Sequence, residues 1–483
     1  MFVYSEEYWH TRSTGASRND RIHPSTSEIN AALTNVQSNS GSSASEGLRS
    51  YIGRMNYSAY DKYLLEFSFR VDGSSKFIKG HQYGFFPTVA VGWRFTEEEF
   101  LKKYLSSWLS SGKLRASWGK LGDNSGVDRF EQLETLTAMN YMSSDVVKGF
   151  VNKKMINKDL SWEVSTDINV GLDLGFLNNR LRTEIDFYNR LRTGMNRPSQ
   201  MSIHLTGAYS APRANIGDLL NRGLELNLTW KDKIGNVEYS VNLNGAYNRT
   251  VLKEWNEFLS RGWVYLDMPY HFLYVYENNG IAQTWQDIYN NTPQGLSPGD
   301  VIRKDLNGDG IIDGKDKKAY PNIQRDRPTT TYGITLQAAW KGFDISMLFN
   351  GGLGRKDFWL TDFNNTAFAD RRYASTWDHW TEPWSLENRG GEWPRLGTST
   401  DRSDNSYWLY NMNYLRMKNI MLGYNLPKKL LSKISMTNLR IYASAENLFT
   451  VTQYPGLDPE KKNSARDLYP INRSFSIGLN VSF

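Results

Sequence analysis

The chain has 483 residues, with 57 Lys and Arg against 51 Asp and Glu, a formal net charge of +6, and no cysteine. The lack of cysteine removes both a disulfide framework and a thiolate metal site, and the interspersed acids argue against a nucleic-acid-binding face. No window approaches the ~18 consecutive apolar residues of a membrane helix, since even Trp263 to Tyr276 is broken by Asp267 and His271.

Met1 to His10 (MFVYSEEYWH) carries neither a basic n-region nor an apolar h-region, so no signal peptide is read there. The Ser/Asn/Gly-rich run Gln37 to Ser45 reads as loop. From about residue 47 to the end, two-residue alternation recurs. Leu65, Phe67, Phe69 and Val71 oppose Glu66, Ser68, Arg70 and Asp72. Trp162, Val164, Ile168, Val170, Leu172, Leu174 and Phe176 oppose Glu163, Ser165, Asp167, Asn169 and Asp173. After Leu177-Asn178-Asn179, the residues Leu181, Ile185 and Phe187 face away from Arg182, Glu184 and Asp186, and Val237 to Tyr247 repeats the scheme. The expected strands, about thirteen in all, begin near residues 47, 61, 82, 111, 162, 179, 214, 236, 329, 342, 411, 436 and 473.

Many of these runs reach the nine to eleven residues that a tilted strand needs to cross a bilayer. One face carries full charges, which suits a wet lumen. Trp162, Trp230 and Trp340 stand at or near strand ends, where interfacial aromatic girdles lie. Alternation alone also allows a large β-sandwich or propeller. The connectors separate the readings: short ones (Tyr60-Asp61, Leu177 to Asn179, Lys231 to Gly235, Lys341-Gly342) alternate with long ones (122–161, 194–213, 251–328, 354–410, 451–472). Short turns on one side and long loops on the other are the outer-membrane pattern. The expected fold class is therefore all-β: an antiparallel transmembrane β-barrel with long extracellular loops and a periplasmic C-terminus. On this parity residues 1–46 form an extracellular loop region following a missing strand, and 47–483 are the C-terminal portion of the barrel.

Catalytic signals are sparse. The six His stand singly, and no HExxH or GxxxxGK[ST] pattern occurs, so no catalytic residue is nominated. One segment, Asp305 to Asp316, matches a calcium-loop pattern, with Asp305, Asn307, Asp309, the Ile311 carbonyl, Asp313 and Asp316 as oxygen ligands for a structural Ca²⁺. Asp316 stands where Glu is usual. The other reading of the same residues is a plain Asp/Asn/Gly turn cluster. A second segment is rich in rings: Trp359, Tyr373, Trp377, Trp380 and Trp384 lie in one outside loop, either as a substrate or partner surface or as that loop's own small core. Finally, Arg473 to Phe483 alternates without a fault, with Phe475, Ile477, Leu479, Val481 and Phe483 outward, and resembles the terminal assembly signal of outer-membrane barrels.

Several segments resemble the SusC/RagA-like family of TonB-linked (TonB-dependent) outer-membrane proteins of Bacteroidetes. They are Arg70 to Phe77 (RVDGSSKF), Asn221 to Leu226 (NRGLEL), Lys304 to Gly310 (KDLNGDG), and Asn447-Leu448-Phe449 followed by Tyr454 to Glu460 (YPGLDPE). The resemblance runs from about residue 46 to the end. It implies the C-terminal part of a 22-stranded pore, with a signal peptide, a small β-sandwich domain, a TonB-contacting segment, a plug and earlier strands lying outside this sequence. The function it implies is uptake of glycans or peptides across the outer membrane of a Gram-negative cell. It also implies a SusD-like surface lipoprotein as partner, TonB acting through the missing N-terminal part, and contact with outer-membrane lipid but not nucleic acid. No enzymatic activity and no cofactor beyond the structural Ca²⁺ are expected. The alternative is a secreted or surface carbohydrate-binding or hydrolytic β-protein.

Overall fold

The computed structural model describes the chain except residues 20–22, 24, 26–27, 33–36, 106–107, 143–145, 153–154, 202–203, 205–210, 258–264, 271, 359–381, 396–404, 432–435, 462–469 and 483. Its framework is a 14-stranded antiparallel sheet in which spatial order follows chain order. The strands are β1 (Phe2–Arg18), β2 (Gln37–Ala59), β3 (Tyr63–Ser74), β4 (Tyr83–Trp93), β5 (Leu109–Asp123), β6 (Glu163–Phe176) and β7 (Leu181–Thr193). They continue as β8 (Asp218–Ile234), β9 (Val237–Glu254), β10 (Thr330–Trp340), β11 (Phe343–Leu353), β12 (Tyr414–Asn425), β13 (Asn438–Thr452) and β14 (Ser474–Ser482).

The thirteen expected strands form as β2 to β14. The assignment of residues 1–46 to a loop is corrected: Phe2–Arg18 is itself a wall strand, paired without a slip from Phe2↔Gly53 to Arg18↔Gln37. β2 accordingly starts ten residues early. Its 23 residues span about 76 Å at 3.3 Å per residue, far more than a bilayer is thick. The upper part of this hairpin stands in water, where no apolar row is demanded, and so its alternation is faint.

Elsewhere the alternation holds. Leu224 pairs with both Phe187 and Tyr247, forming an apolar row across β7, β8 and β9. These apolar side chains are exposed, with Leu224 at 48% and Ile477 at 85%, while charged residues on the other face pair with one another. That is the reverse of a water-soluble sheet and the expected wall between lipid and an aqueous lumen. Short turns close one end; Lys341 and Gly342, with φ of 47° and 91°, give the positive-φ geometry that two-residue hairpins favour. The long connections gather at the other end and carry two-stranded ribbons of their own, among them 272–276 with 317–324 and 356–358 with 409–411. β1 and β14 each have one neighbour and one free edge within the sheet.

Candidate functional site

The pleat sends alternate residues of β5 to β9 into the lumen. There Arg115 on β5 reaches Asp173 on β6 at 2.7 Å and Asp186 on β7 at 2.9 Å, one guanidinium fork serving two carboxylates. Arg190 pairs with Asp167 at 2.7 Å and Arg192 with Asp123 at 2.8 Å, and farther round Arg440 holds Asp344. These pairs are part-buried or exposed, so each contributes little to stability. Their effect is a polar, neutralised inner surface.

Above the wall, three connections share one hydrophobic core. Leu273, Val275 and Val301 come from 255–329, Phe358, Trp408 and Met412 from 354–413, and Tyr454 from 453–473. Burying a side chain such as Phe358 contributes about 1.5–3 kcal/mol, so this core gives the loops a stability of their own. Arg355, 2% exposed, locks them together. Its guanidinium donates to the carbonyls of Arg325 at 3.0 Å, Pro459 at 3.2 Å, Glu460 at 3.1 Å and Lys461 at 3.1 Å, and Arg325 in turn reaches Asp357 at 2.9 Å. A second lock joins Asp300 to Arg395 at 2.8 Å. Burial and the nearby Glu392 carboxylate push the Tyr410 hydroxyl up to about 12, so it stays a neutral donor. None of these locks was nominated from sequence; each joins residues 30 to about 100 positions apart, which local pattern does not encode.

Trp359, Tyr373, Trp377 and Trp380 lie outside the described residues. Trp384 is described, and of its two readings its burial fits the loop's own core: it is 7% exposed and donates to Gln283 at 2.9 Å. Trp162, expected in an interfacial girdle, instead packs on Phe77 at 5.2 Å and Phe86 at 5.5 Å. On β14 the row Phe475, Ile477, Leu479 and Val481 is outward and exposed, as the alternation requires; Phe483 lies outside the described residues.

The Asp305–Asp316 segment folds as a self-capped turn. Asp305 accepts from the amides of Gly308 and Gly310, Asp309 from that of Ile311, and Asp313 from that of Lys315. Asp316 is fully buried and accepts from the amides of Leu306 at 2.9 Å and Asp313 at 2.8 Å. The Asp313 amide, ahead of those of Leu306 and Asn307, holds the Asp316 carboxyl below its usual range. The donors are all hard oxygens, as Ca²⁺ requires. In arrangement they do not yet fit: among the described residues no three His, Asp or Glu side chains form a group that could hold a metal.

Residues 4–448 match the family model for the TonB dependent receptor-like β-barrel. TonB-dependent receptor P3 of Formosa agariphila is 30% identical over 476 residues, covering 90% of this chain and 45% of the relative. TonB-dependent receptor SusC of Bacteroides thetaiotaomicron is 30% identical over 456 residues, covering 90% and 44%. Among solved structures, the RagAB peptide transporter shares the fold with a TM-score of 0.80 at 23% identity, covering all of this chain and 53% of that one. The chain thus spans about half the length of the curated relatives it matches.

Proposed function

Because the chain belongs to the TonB dependent receptor-like β-barrel family, we propose that it supplies the C-terminal wall and loop platform of an outer-membrane importer for glycans or peptides too large for porins. The family is one of receptors, not enzymes, and the secreted carbohydrate-binding or hydrolytic alternative falls with it. The observation that carries the reading is the joint core of the long connections at one end of a wall with a polar, ion-paired inner face. Loops ordered at such entropic cost present a surface to something outside the cell. In this proposal that end is extracellular and receives a SusD-like lipoprotein, the C-terminus is periplasmic, and TonB acts through regions outside this chain. The free edges of β1 and β14 are where the remaining strands of a closed barrel pair, since lipid cannot satisfy an open edge. The test is uptake by cells bearing the full-length protein. Import of a labelled glycan or peptide that requires both TonB and the lipoprotein supports the proposal; import that persists without TonB overturns it.

Calcium at Asp305–Asp316 is a separate proposal, in a purely structural role. Its support is the oxygen-only donor set and the lone pairs that the loop amides leave free on Asp305, Asp309 and Asp313, each carboxylate having about four acceptor positions. The residues would have to turn those free positions toward one point to hold the ion.

A further inference from the structure

We propose that Arg222 and Arg249, on the lipid-facing side of β8 and β9, bind the phosphorylated headgroup of an outer-leaflet lipid. The two are register partners across adjacent strands. Outward positions on β8 run Trp230, Leu228, Leu226 and Leu224, and the next is Arg222; on β9 they run from Tyr239 to Tyr247, and the next is Arg249. Eight residues separate Trp230 from Arg222, about 19 Å along the membrane normal for a strand tilted ~45°, which is most of the ~25 Å apolar band. Both charges therefore stand at the band's far edge, on the side of the long connections. That side is the outer leaflet, which rests on the orientation proposed above.

Two like charges directly opposed on a sheet repel, and among the described residues no carboxylate pairs with either of them. Arg222 donates to the neutral amide oxygen of Asn189 at 2.6 Å. The Arg249 Nε is shielded from water and has no hydrogen-bond partner, and neither arginine makes an ion pair among the described residues. Glu225 and Asp186 sit on lumenal positions of the pleat, and Asp218, four residues from Arg222 along β8, accepts from the Gly194 amide at 3.0 Å. Arg222 is exposed and Arg249 half-buried, so their terminal nitrogens are presented to the headgroup layer. Paired guanidinium forks match the tetrahedral oxygens of a phosphate ester. An arginine near an anionic membrane surface contributes about fivefold in affinity, so the pair contributes about thirtyfold.

The test is native mass spectrometry of the full-length detergent-solubilised protein titrated with a monophosphorylated lipid A, with phosphatidylcholine and inorganic phosphate as the competing probes. One lipid A retained in preference to both is expected, with about thirtyfold loss in Arg222→Gln/Arg249→Gln and partial recovery in Arg222→Lys/Arg249→Lys, which restores the charges but not the forks. If the double variant does not assemble, each single Gln variant is expected to lose about fivefold. Unchanged retention in the Gln variants, or equal retention of phosphatidylcholine, overturns the proposal. Orientation is checked separately by labelling Tyr289→Cys, at a position 77% exposed in a long connection, on intact cells. A thiol unreachable from outside puts the pair in the periplasmic leaflet and overturns the outer-leaflet assignment, even where the phosphate preference persists.

Discussion

Arg416, near the top of β12, and Asp458, in the connection between β13 and β14, form an ion pair 2.8 Å apart with side chains 3% and 1% exposed. Arg416 also reaches Glu460 at 2.6 Å and the Thr450 hydroxyl at 2.9 Å. A charge so buried depends on its partner, so Arg416→Ala is expected to cost the loop platform about 3–5 kcal/mol. Replacing both members with apolar residues of similar volume (Arg416→Met with Asp458→Leu) removes the desolvation penalty along with the attraction and is expected to cost much less. Hydrogen exchange across 453–461 in the full-length protein measures both. Equal exchange in wild type and Arg416→Ala would show that the pair does not hold the platform.

The outward row of β14 makes a directional prediction. Ile477 is 85% exposed near the middle of the strand, whereas Ser476 lies on the lumenal side of the same pleat. Ile477→Arg is expected to cost about 2–4 kcal/mol, as a cation at the bilayer midplane does, and Ser476→Arg close to nothing. Heat-modifiable mobility of the assembled full-length protein reads the difference. Equal tolerance at both positions would mean that this face does not meet lipid.

How far the sequence carried the fold can be judged strand by strand. From Glu163 to Thr193 one face must satisfy lipid and the other water, so composition alternates residue by residue and the register could be read directly. β1 escaped because its outward positions mix Phe2 and Tyr4 with Glu6, while Trp9 falls on the other face. A ribbon standing in water needs no consistent row. The platform escaped for another reason. Arg355 and Pro459 are 104 residues apart, and a lone arginine after Gly354 carries no periodic signal of its function. The aromatic loop was legible as something needing explanation. For Trp384 the explanation is the less specific of the two, because a long loop must first bury its own rings.

At the short-turn end, the Glu98 carboxylate accepts from the Tyr63 hydroxyl at 2.6 Å, the Trp93 indole at 3.2 Å and Lys62 at 3.3 Å. The Tyr63 hydroxyl, then the Trp93 indole, holds its pKa below the usual carboxylate range. A depressed folded-state pKa stabilises above the unfolded value of about 4.3 and loses that contribution as pH falls through the folded value. Glu98→Gln keeps the shape but not the charge. Its thermal stability is expected to fall below wild type at neutral pH, with the two converging as the solution is acidified below about pH 4. A deficit that is constant with pH would assign the effect to shape alone.

The Asp305–Asp316 loop sets two roles against each other, and its residues divide between them. Asp316 is fully buried with both carboxylate oxygens on backbone amides, so it caps the turn whether or not an ion is present. Asp309 is exposed and accepts from the Ile311 amide and the Asn307 side chain, which leaves acceptor positions free for a cation. Asp316→Asn is therefore expected to loosen the loop with or without chelator. It removes charge from an acceptor site whose depressed pKa marks it as charge-dependent. Asp309→Ala is expected to abolish only a calcium-dependent increment. The measurement is limited proteolysis of the full-length protein across 304–317 with millimolar calcium, with chelator, and along a falling pH series. By the same sign as for Glu98, protection due to Asp316 is fully present above about pH 4 and is lost below it. The calcium proposal needs wild-type protection to rise when calcium is added and Asp309→Ala to remove the rise. Wild-type protection that ignores calcium and chelator alike, while Asp316→Asn still loses it, would leave a turn held by its own amides and no ion.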